Sequence, residues 1–84
     1  INFRVDDAPA LVAAVVKSYE PQTVSVDRLD GVTVDLGGGE WFNLRTSNTE
    51  PLLRLNVEAP TVEGVNAVVN RVADLIAARG EGRA

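Results

Sequence analysis

The stretch NLRTSNTEPLLRL, from Asn43 to Leu55, sets the architecture of this chain, because it reads as two strands joined by a polar turn. Its two ends alternate apolar and polar residues, as strands with one buried face do. Its centre, residues 45–51, combines one cation, three hydroxyls, an amide and a proline. This composition leaves two interpretations open: an ordinary polar hairpin loop, or a turn that binds an anion.

An anion site would draw on several donors of this turn. Arg45 offers a planar fork of N–H groups that is always charged, and Ser47 and Thr49 offer hydroxyl groups. Successive backbone N–H groups in a tight turn can form an anion nest, and Asn48 tolerates the left-handed conformation that such a turn requires. An ordinary polar hairpin loop remains the alternative interpretation, because Ser, Asn, Thr and Pro are common turn residues.

Alternation of apolar and polar residues predicts a run of strands around this turn. Four strands are predicted, at residues 23–27, 32–36, 41–45 and 52–59. Asp30-Gly31 is a strong turn signal between the first two. The triple glycine at 37–39 predicts a second turn, since it lacks the Lys and Ser/Thr of a phosphate-binding P-loop and no helix follows it.

Two amphipathic helices flank the strands. The first begins at Asp6-Asp7-Ala8-Pro9, an acidic cap with a proline in the first turn, and ends at Glu20-Pro21. Its apolar face is Leu11, Val12, Val15, Val16 and Tyr19. The second helix has Thr61 as its cap and Gly80 as a left-handed stop. Its apolar stripe is Val65, Val68, Val69, Val72, Leu75 and Ile76.

This order of elements predicts an α+β fold. Short connections favour a four-stranded antiparallel sheet, and two one-sided helices can cover one of its faces, which makes a two-layer sandwich. Residues 1–5 also alternate, so they form either a short strand or an extended lead-in, and the charged tail 81–84 is expected to fray. We expect residues 1–84 to form a single domain.

Composition excludes several classes of function. The chain has neither cysteine nor histidine, so thiolate metal sites and imidazole catalysis are ruled out. A net charge of −4 argues against broad attraction to nucleic acid or anionic lipid. No apolar run approaches the roughly 20 residues that span a bilayer, so we expect a cytoplasmic protein. Because the chain begins INFRV, without methionine, we expect a piece of a longer protein.

The carboxylates are predicted to be structural or solvated. Asp6 and Asp7 fit a helix cap, Asp30 fits a turn, and Asp27 and Asp35 fall on polar strand positions. Their spacing matches no metal-binding loop. We therefore predict neither a catalytic residue nor a metal site in this chain.

The polar face of the sheet presents a second feature. If the Phe and Leu residues of the last two strands point into the core, a set of five points outward, namely Trp41, Asn43, Arg45, Leu52 and Arg54. Trp41 and Leu52 would then be exposed apolar groups beside two arginines. A single exposed apolar residue is normal, so the alternative, that this face meets another domain or a ligand, is a hypothesis.

The motif RTSNTEP, followed by LLRLNVEA and an amphipathic helix, resembles the C-terminal domain of the α-D-phosphohexomutases, of the bacterial phosphomannomutase/phosphoglucomutase type. Members carry an R-x-S-N/G-T-E-P loop at this place. The resemblance extends to the opening INFRVDDAPA and to the hairpin DGVTVDLGGGEWFNLR, so it covers essentially all of the chain. It implies a TATA-binding-protein-like α+β fold.

The resemblance also implies a site. Its residues would hold the phosphate of the substrate that is not being transferred, and they are Arg45, Ser47, Asn48 and Thr49. Thr46 falls at the variable position of the motif, while Glu50 and Pro51 would shape the exit of the loop without touching the ligand.

The resemblance implies a four-domain parent enzyme, an intramolecular phosphotransferase of the isomerase class. It would interconvert hexose 6-phosphate and hexose 1-phosphate through a phosphoserine, with Mg²⁺ and a hexose 1,6-bisphosphate activator. The serine, metal and sugar-recognition loops belong to other domains, so this chain alone is expected to be inactive. Its partners would be the phosphosugar and those domains. The alternative is a non-catalytic regulatory or protein-interaction module of the same architecture.

Overall fold

The computed structural model describes residues 1–47, 49–79 and 82–83. Two α-helices, α1 (Ala8–Ser18) and α2 (Val62–Ala77), and a short 3₁₀ turn at Glu20–Gln22 accompany a single sheet. Among the described residues the sheet has six strands: β1 (Asn2–Arg4), β2 (Ser25–Asp27), β3 (Val32–Gly37), β4 (Glu40–Thr46), β5 (Leu52–Glu58) and β6 (Gly82–Arg83). All neighbours are antiparallel, in the order β2-β3-β4-β5-β1-β6.

The predicted α+β class is confirmed, but the predicted number of four strands is wrong. Residues 1–5 contribute β1, which pairs with β5 through Phe3 opposite Leu53. Without β1, the N–H and C=O groups along the outer edge of β5 would lack partners. Residues 82 and 83, predicted to fray, pair with β1 as β6. Residues 80, 81 and 84 lie outside the described part, and the predicted stop at Gly80 lies there too.

Both helices begin at the predicted caps. The side chain of Asp7 accepts a hydrogen bond from Ala10 N at 3.2 Å, and Thr61 Oγ1 accepts one from Gly64 N at 3.0 Å. Each bond satisfies an amide at a helix start that has no partner within the helix. Helix α1 ends at Ser18, just before the predicted break at Glu20-Pro21.

The core lies between the helices and one face of the sheet. Cross-strand pairs such as Val34–Phe42 and Leu44–Leu55 place apolar side chains on that face. The buried apolar residues are Phe3, Val5, Leu11, Val12, Val15, Tyr19, Val34, Phe42, Leu44, Leu53, Leu55, Val68, Val72 and Ile76. Cross-strand partners share a face, so the alternate residues of β4 and β5 point away from the helices.

Among the strands whose burial is described, the edge strand β2 is the least buried. Its three residues are exposed, and apolar Val24 and Val26 beside and within it are 69 % and 39 % exposed. Within the described residues no helix is both long and apolar enough to span a lipid bilayer.

Candidate anion-binding site

A shallow pocket of about 340 Å³ opens where the turn between β4 and β5 meets the uncovered face of the sheet. Its walls come from the two strands, the turn and the start of β1. The lining residues are Asn2, Arg45, Thr46, Ser47, Glu50, Leu52 and Arg54. The predicted loop therefore borders a concave space, which an anion site requires.

Two arginines face this pocket from opposite strands. Arg45 on β4 and Arg54 on β5 are direct cross-strand partners, so their side chains rise from the same face of the sheet. Like charges in such a pair are unfavourable, and an anion held between them would relieve that repulsion. Arg54 Nε also approaches Asn2 Oδ1 at 3.4 Å, a long hydrogen bond that ties it loosely to β1.

Arg54 was not among the predicted site residues, because the sequence pattern placed it only on the outward face of the sheet. The antiparallel register carries the missing information. Once the turn brings Thr46 opposite Leu53, the preceding Arg45 must face Arg54. Counting outward from the turn could therefore have found this second cation.

The turn is held in shape by Ser47. Its backbone N donates to Leu52 O at 3.1 Å and closes the turn, while its Oγ accepts from Thr49 N at 3.3 Å and Glu50 N at 3.2 Å. These three amides are thus engaged within the hairpin, so they do not form the free amide nest that the composition suggested. The Ser47 hydroxyl acts as acceptor in both bonds, which leaves its own proton for a further acceptor.

The four residues of the predicted site are not all placed alike. Arg45 and Ser47 line the pocket. Thr49 is exposed and contributes its amide to the Ser47 hydroxyl rather than lining the pocket. Asn48 lies outside the described residues.

The loop exit is hydrogen-bonded to the residue that follows β1. Pro51 O accepts a hydrogen bond from Val5 N at 2.8 Å, and Glu50 O accepts one from Leu52 N at 2.8 Å. Glu50 also lines the pocket, together with the two arginines. The pocket therefore pairs two cations with one carboxylate, and this favours an anionic guest in a protein of net charge −4.

Arg45 has a second contact, to the turn between β2 and β3. Its Nη2 lies 2.9 Å from Asp30 Oδ1, and both side chains are largely exposed, at 52 % and 74 %. The predicted turn at Asp30 is confirmed, whereas this ion pair was not predicted from the sequence. The two residues come from different hairpins, so only the pairing of β3 with β4 brings them together.

The remaining carboxylates have local roles where their contacts are defined. Asp27 Oδ1 and Asp35 Oδ1 each accept a backbone N–H two residues later, both at 2.8 Å. In the described ranges, no three His, Cys, Asp or Glu side chains cluster in a way that could hold a metal ion.

Trp41 lies on the uncovered face but is partly shielded. Its Nε1 donates to Glu58 Oε2 at 2.7 Å across the β4–β5 pair. Leu52, the other apolar residue predicted to be exposed here, is half-buried in the wall of the pocket. Both residues lie outside the main core, as the sequence predicted.

The family of the chain follows from comparison with known proteins. Residues 1–75 match the family model of the phosphoglucomutase/phosphomannomutase C-terminal domain, and the chain belongs to this family. A protein named phosphohexose mutases, from Xanthomonas campestris pv. campestris (strain B100), is 59 % identical over 59 residues, 69 % of this chain. A phosphomannomutase of Escherichia coli is 45 % identical over 60 residues, 70 % of this chain.

A more distant relative matches more of the chain. A phosphomannomutase of Methanocaldococcus jannaschii is 39 % identical over 77 residues, which is 92 % of this chain. The matched region spans 13 % of the length of the Xanthomonas and Escherichia relatives and 16 % of the Methanocaldococcus relative. The comparison therefore concerns one part of much longer proteins.

Proposed function

We propose that this chain binds the phosphate group of a phosphosugar, as the C-terminal domain of a four-domain phosphohexomutase that interconverts hexose 6-phosphate and hexose 1-phosphate. The observation that carries the proposal is the cross-strand pair Arg45–Arg54, two cations that line a pocket bordered by the RTSNTEP turn. The family membership of the chain supports the same conclusion.

The pocket offers a phosphate dianion two kinds of donor. The guanidinium groups of Arg45 and Arg54 supply charge and planar pairs of N–H donors, which suit phosphate oxygens. The Ser47 hydroxyl supplies a neutral donor from the floor of the turn. We assign Asn48 and Thr49, the other two residues of the predicted site, to the same phosphate.

Such a site can hold either end of the substrate. It binds a phosphate by charge and does not recognise the sugar. A sugar that turns around between two half-reactions can therefore bind here through its 1-phosphate or through its 6-phosphate. The phosphate held here would be remote from the one being transferred. Binding energy from a remote group can be used to position the reacting group, and phosphoryl transfer depends mainly on positioning and charge stabilisation.

The chemical step belongs to other domains in this proposal. The reaction would use a phosphoserine, Mg²⁺ and a hexose 1,6-bisphosphate, and the Mg²⁺ would help to neutralise charge on the transferred phosphoryl group. The described residues contain no cluster suited to that metal, so no step is assigned to it here. This chain alone would therefore be inactive, and a cytoplasmic location forms part of the proposal.

A phosphate titration followed by backbone amide NMR tests the proposal. We expect inorganic phosphate, glucose 1-phosphate and glucose 6-phosphate to shift the amides of Thr46, Ser47 and Thr49. Arg45→Ala should weaken binding by about 1.5–3 kcal/mol, the size of a hydrogen bond to a charged group, without unfolding the chain. Arg79→Gln, which removes an exposed cation after α2, is the matched control and should change little. Shifts confined to other parts of the chain, or a phosphate affinity that Arg45→Ala leaves unchanged, would refute the assignment.

An interaction module is the alternative, and the edge strand favours it. Exposed Val24, Val26 and Leu29 lie in or beside β2, whose outer edge has no neighbouring strand among the described residues. An uncovered apolar edge can pair with another chain. Light scattering that shows self-association, together with no response to phosphate, would select this alternative.

A further inference from the structure

We propose that Asp30 is a positioning residue for Arg45: its carboxylate, on the turn between β2 and β3, holds the guanidinium at the rim of the phosphate pocket. This inference rests on the proposed function and adds a residue that the RTSNTEP motif does not contain. It concerns a contact between two hairpins that are distant in sequence.

The ion pair approaches Arg45 from outside the pocket. Asp30 Oδ1 contacts Nη2 at 2.9 Å, and Asp30 is not among the residues that line the pocket. A guanidinium has five N–H donors, so one bond to Asp30 leaves the others for a phosphate. Among the residues that line the pocket, the carboxylate is that of Glu50 and not that of Asp30.

The turn that carries Asp30 is built against β4. Asn43, the one buried polar side chain of the described part, donates from Nδ2 to Asp30 O at 3.0 Å and to Thr33 Oγ1 at 2.9 Å. Asp27 Oδ1 accepts Leu29 N at 2.8 Å and fixes the entry to the turn. The carboxylate of Asp30 is thus attached to a backbone that is anchored on both sides.

Gly31 allows the turn between β2 and β3 to lie close to Arg45. Its φ is +69°, and a Cβ added there would lie 2.6 Å from Leu44 O and 2.9 Å from Arg45 Cγ. Only a residue without a side chain lets the turn rest on β4 at this distance. The stem of Arg45 therefore lies against the turn while its head contacts Asp30.

A positioning role and a purely electrostatic role of Asp30 predict opposite changes in phosphate affinity when its carboxylate is removed. Removing a negative charge beside an anion site should tighten phosphate binding if the charge acts only at a distance. If Asp30 instead restricts the many rotamers of Arg45, its removal should weaken binding, because the phosphate must then order the side chain itself. The sign of one change in affinity therefore separates the two roles.

The experiment compares three variants in the phosphate titration. Asp30→Ala should weaken the binding of inorganic phosphate about twofold to fivefold, the scale of an exposed ion pair. Asp30→Asn keeps an oxygen acceptor, so its phosphate affinity should lie between that of Asp30→Ala and that of the unmodified chain. Asp74→Ala removes an exposed carboxylate on α2 and should leave affinity unchanged or slightly tighter. The Arg45 Nε–H signal reports order directly and should show faster side-chain motion in Asp30→Ala.

The outcomes are distinct. Tighter or unchanged binding in Asp30→Ala overturns the positioning role, even if Arg45→Ala weakens binding as expected and upholds the proposed function. Unchanged motion of the Arg45 side chain in Asp30→Ala overturns it as well. Absence of any phosphate response in the unmodified chain would overturn the proposed function and this inference together.

Discussion

Arg45 and Arg54 are direct cross-strand partners on neighbouring antiparallel strands, and both line a pocket on the face of the sheet that the two described helices leave uncovered. Such a like-charge pair lowers stability where each arginine could instead have faced a neutral residue. The sheet thus retains an unfavourable contact at the place where the proposed function requires positive charge, and stability and binding should respond in opposite directions to its removal.

Arg54→Gln tests whether stability and phosphate binding respond in opposite directions. We expect the free energy of unfolding to rise by a few tenths to about 1 kcal/mol, because the cross-strand repulsion is gone, while phosphate affinity falls. Arg4→Gln on β1, where the facing residue is Leu52, is the control and should give no comparable gain. Chemical denaturation and the phosphate titration measure the two quantities. A destabilised Arg54→Gln chain would show that the pair is not repulsive.

Gly31→Ala and Gly38→Ala form a matched pair of backbone tests. Both glycines have positive φ, +69° and +63°, so each substitution should cost about 1–2 kcal/mol of conformational strain. Only Gly31→Ala adds a clash with Leu44 O, whereas no atom of the described residues lies within 4 Å of the new Cβ at Gly38. Thermal unfolding should therefore show a clearly larger loss for Gly31→Ala, and equal losses would contradict the close approach of the turn to β4.

Tyr19 should make the chain sensitive to alkali. Burial raises the pKa of the Tyr19 phenol above its ordinary value of 10.0, while the guanidinium of Arg71, 4.0 Å from the ring centroid, acts in the opposite direction and Glu40 adds to the rise. The unfolded chain loses this proton near pH 10, whereas the folded chain keeps it to higher pH. The stabilisation is therefore complete below pH 10 and is lost as the pH rises through the folded pKa, at up to about 1.4 kcal/mol per pH unit.

The alkaline effect is measurable because Tyr19 is the only tyrosine in the sequence. Its ionisation can be followed by ultraviolet absorbance and unfolding by the fluorescence of Trp41. Tyr19→Phe should lose the part of the slope above pH 10 that comes from the phenol. A Tyr19 that titrates at pH 10 in the folded chain would contradict its burial.

Trp41 and Phe42 are neighbours on opposite faces of β4, and their substitutions should differ sharply. Trp41→Gln removes a half-buried ring and its bond to Glu58, so we expect a folded chain that is about 1–2 kcal/mol less stable. Phe42→Ala empties a fully buried site against Tyr19 and should cost about 3–5 kcal/mol. Denaturant titration of both variants checks this, and comparable losses would mean that Trp41 belongs to the core.

Trp41 also tests whether the uncovered face meets another domain. In a longer mutase that contains this chain, Trp41→Gln should reduce sugar-phosphate turnover more than Arg79→Gln does, although the chain folds in both. Equal turnover in the two variants would leave this face without a role in domain contact.

The sequence predicted most of what is encoded locally. The caps at Asp7 and Thr61, the turn at Asp30-Gly31 and the alternation along β3, β4 and β5 are all confirmed, because each depends on residues that are close in sequence. The loop could be singled out for the same reason, since its polar residues lie within seven consecutive positions, and its phosphate-binding role stays a prediction.

What the sequence did not reveal depends on contacts between distant segments. The pairing of β1 with β5 and of β6 with β1, which makes six strands rather than four, follows from open sheet edges and not from any local pattern. The contact of Arg45 with Asp30 requires β3 and β4 to be paired in a particular register. Likewise, composition gave no sign that Ser47 would engage the amides of Thr49 and Glu50.

The attachment of the loop exit to the first residues of the chain has a kinetic consequence. Val5 N holds Pro51 O, and Asn2 faces Arg54 at a separation of 52 residues, so the pocket rim is completed only when this long segment closes on itself. Closing a long segment costs chain entropy before any contact compensates for it, and folds rich in such contacts acquire them slowly. The β3–β4–β5 meander can therefore assemble early, and the pocket becomes able to bind a ligand only after β1 has paired with β5.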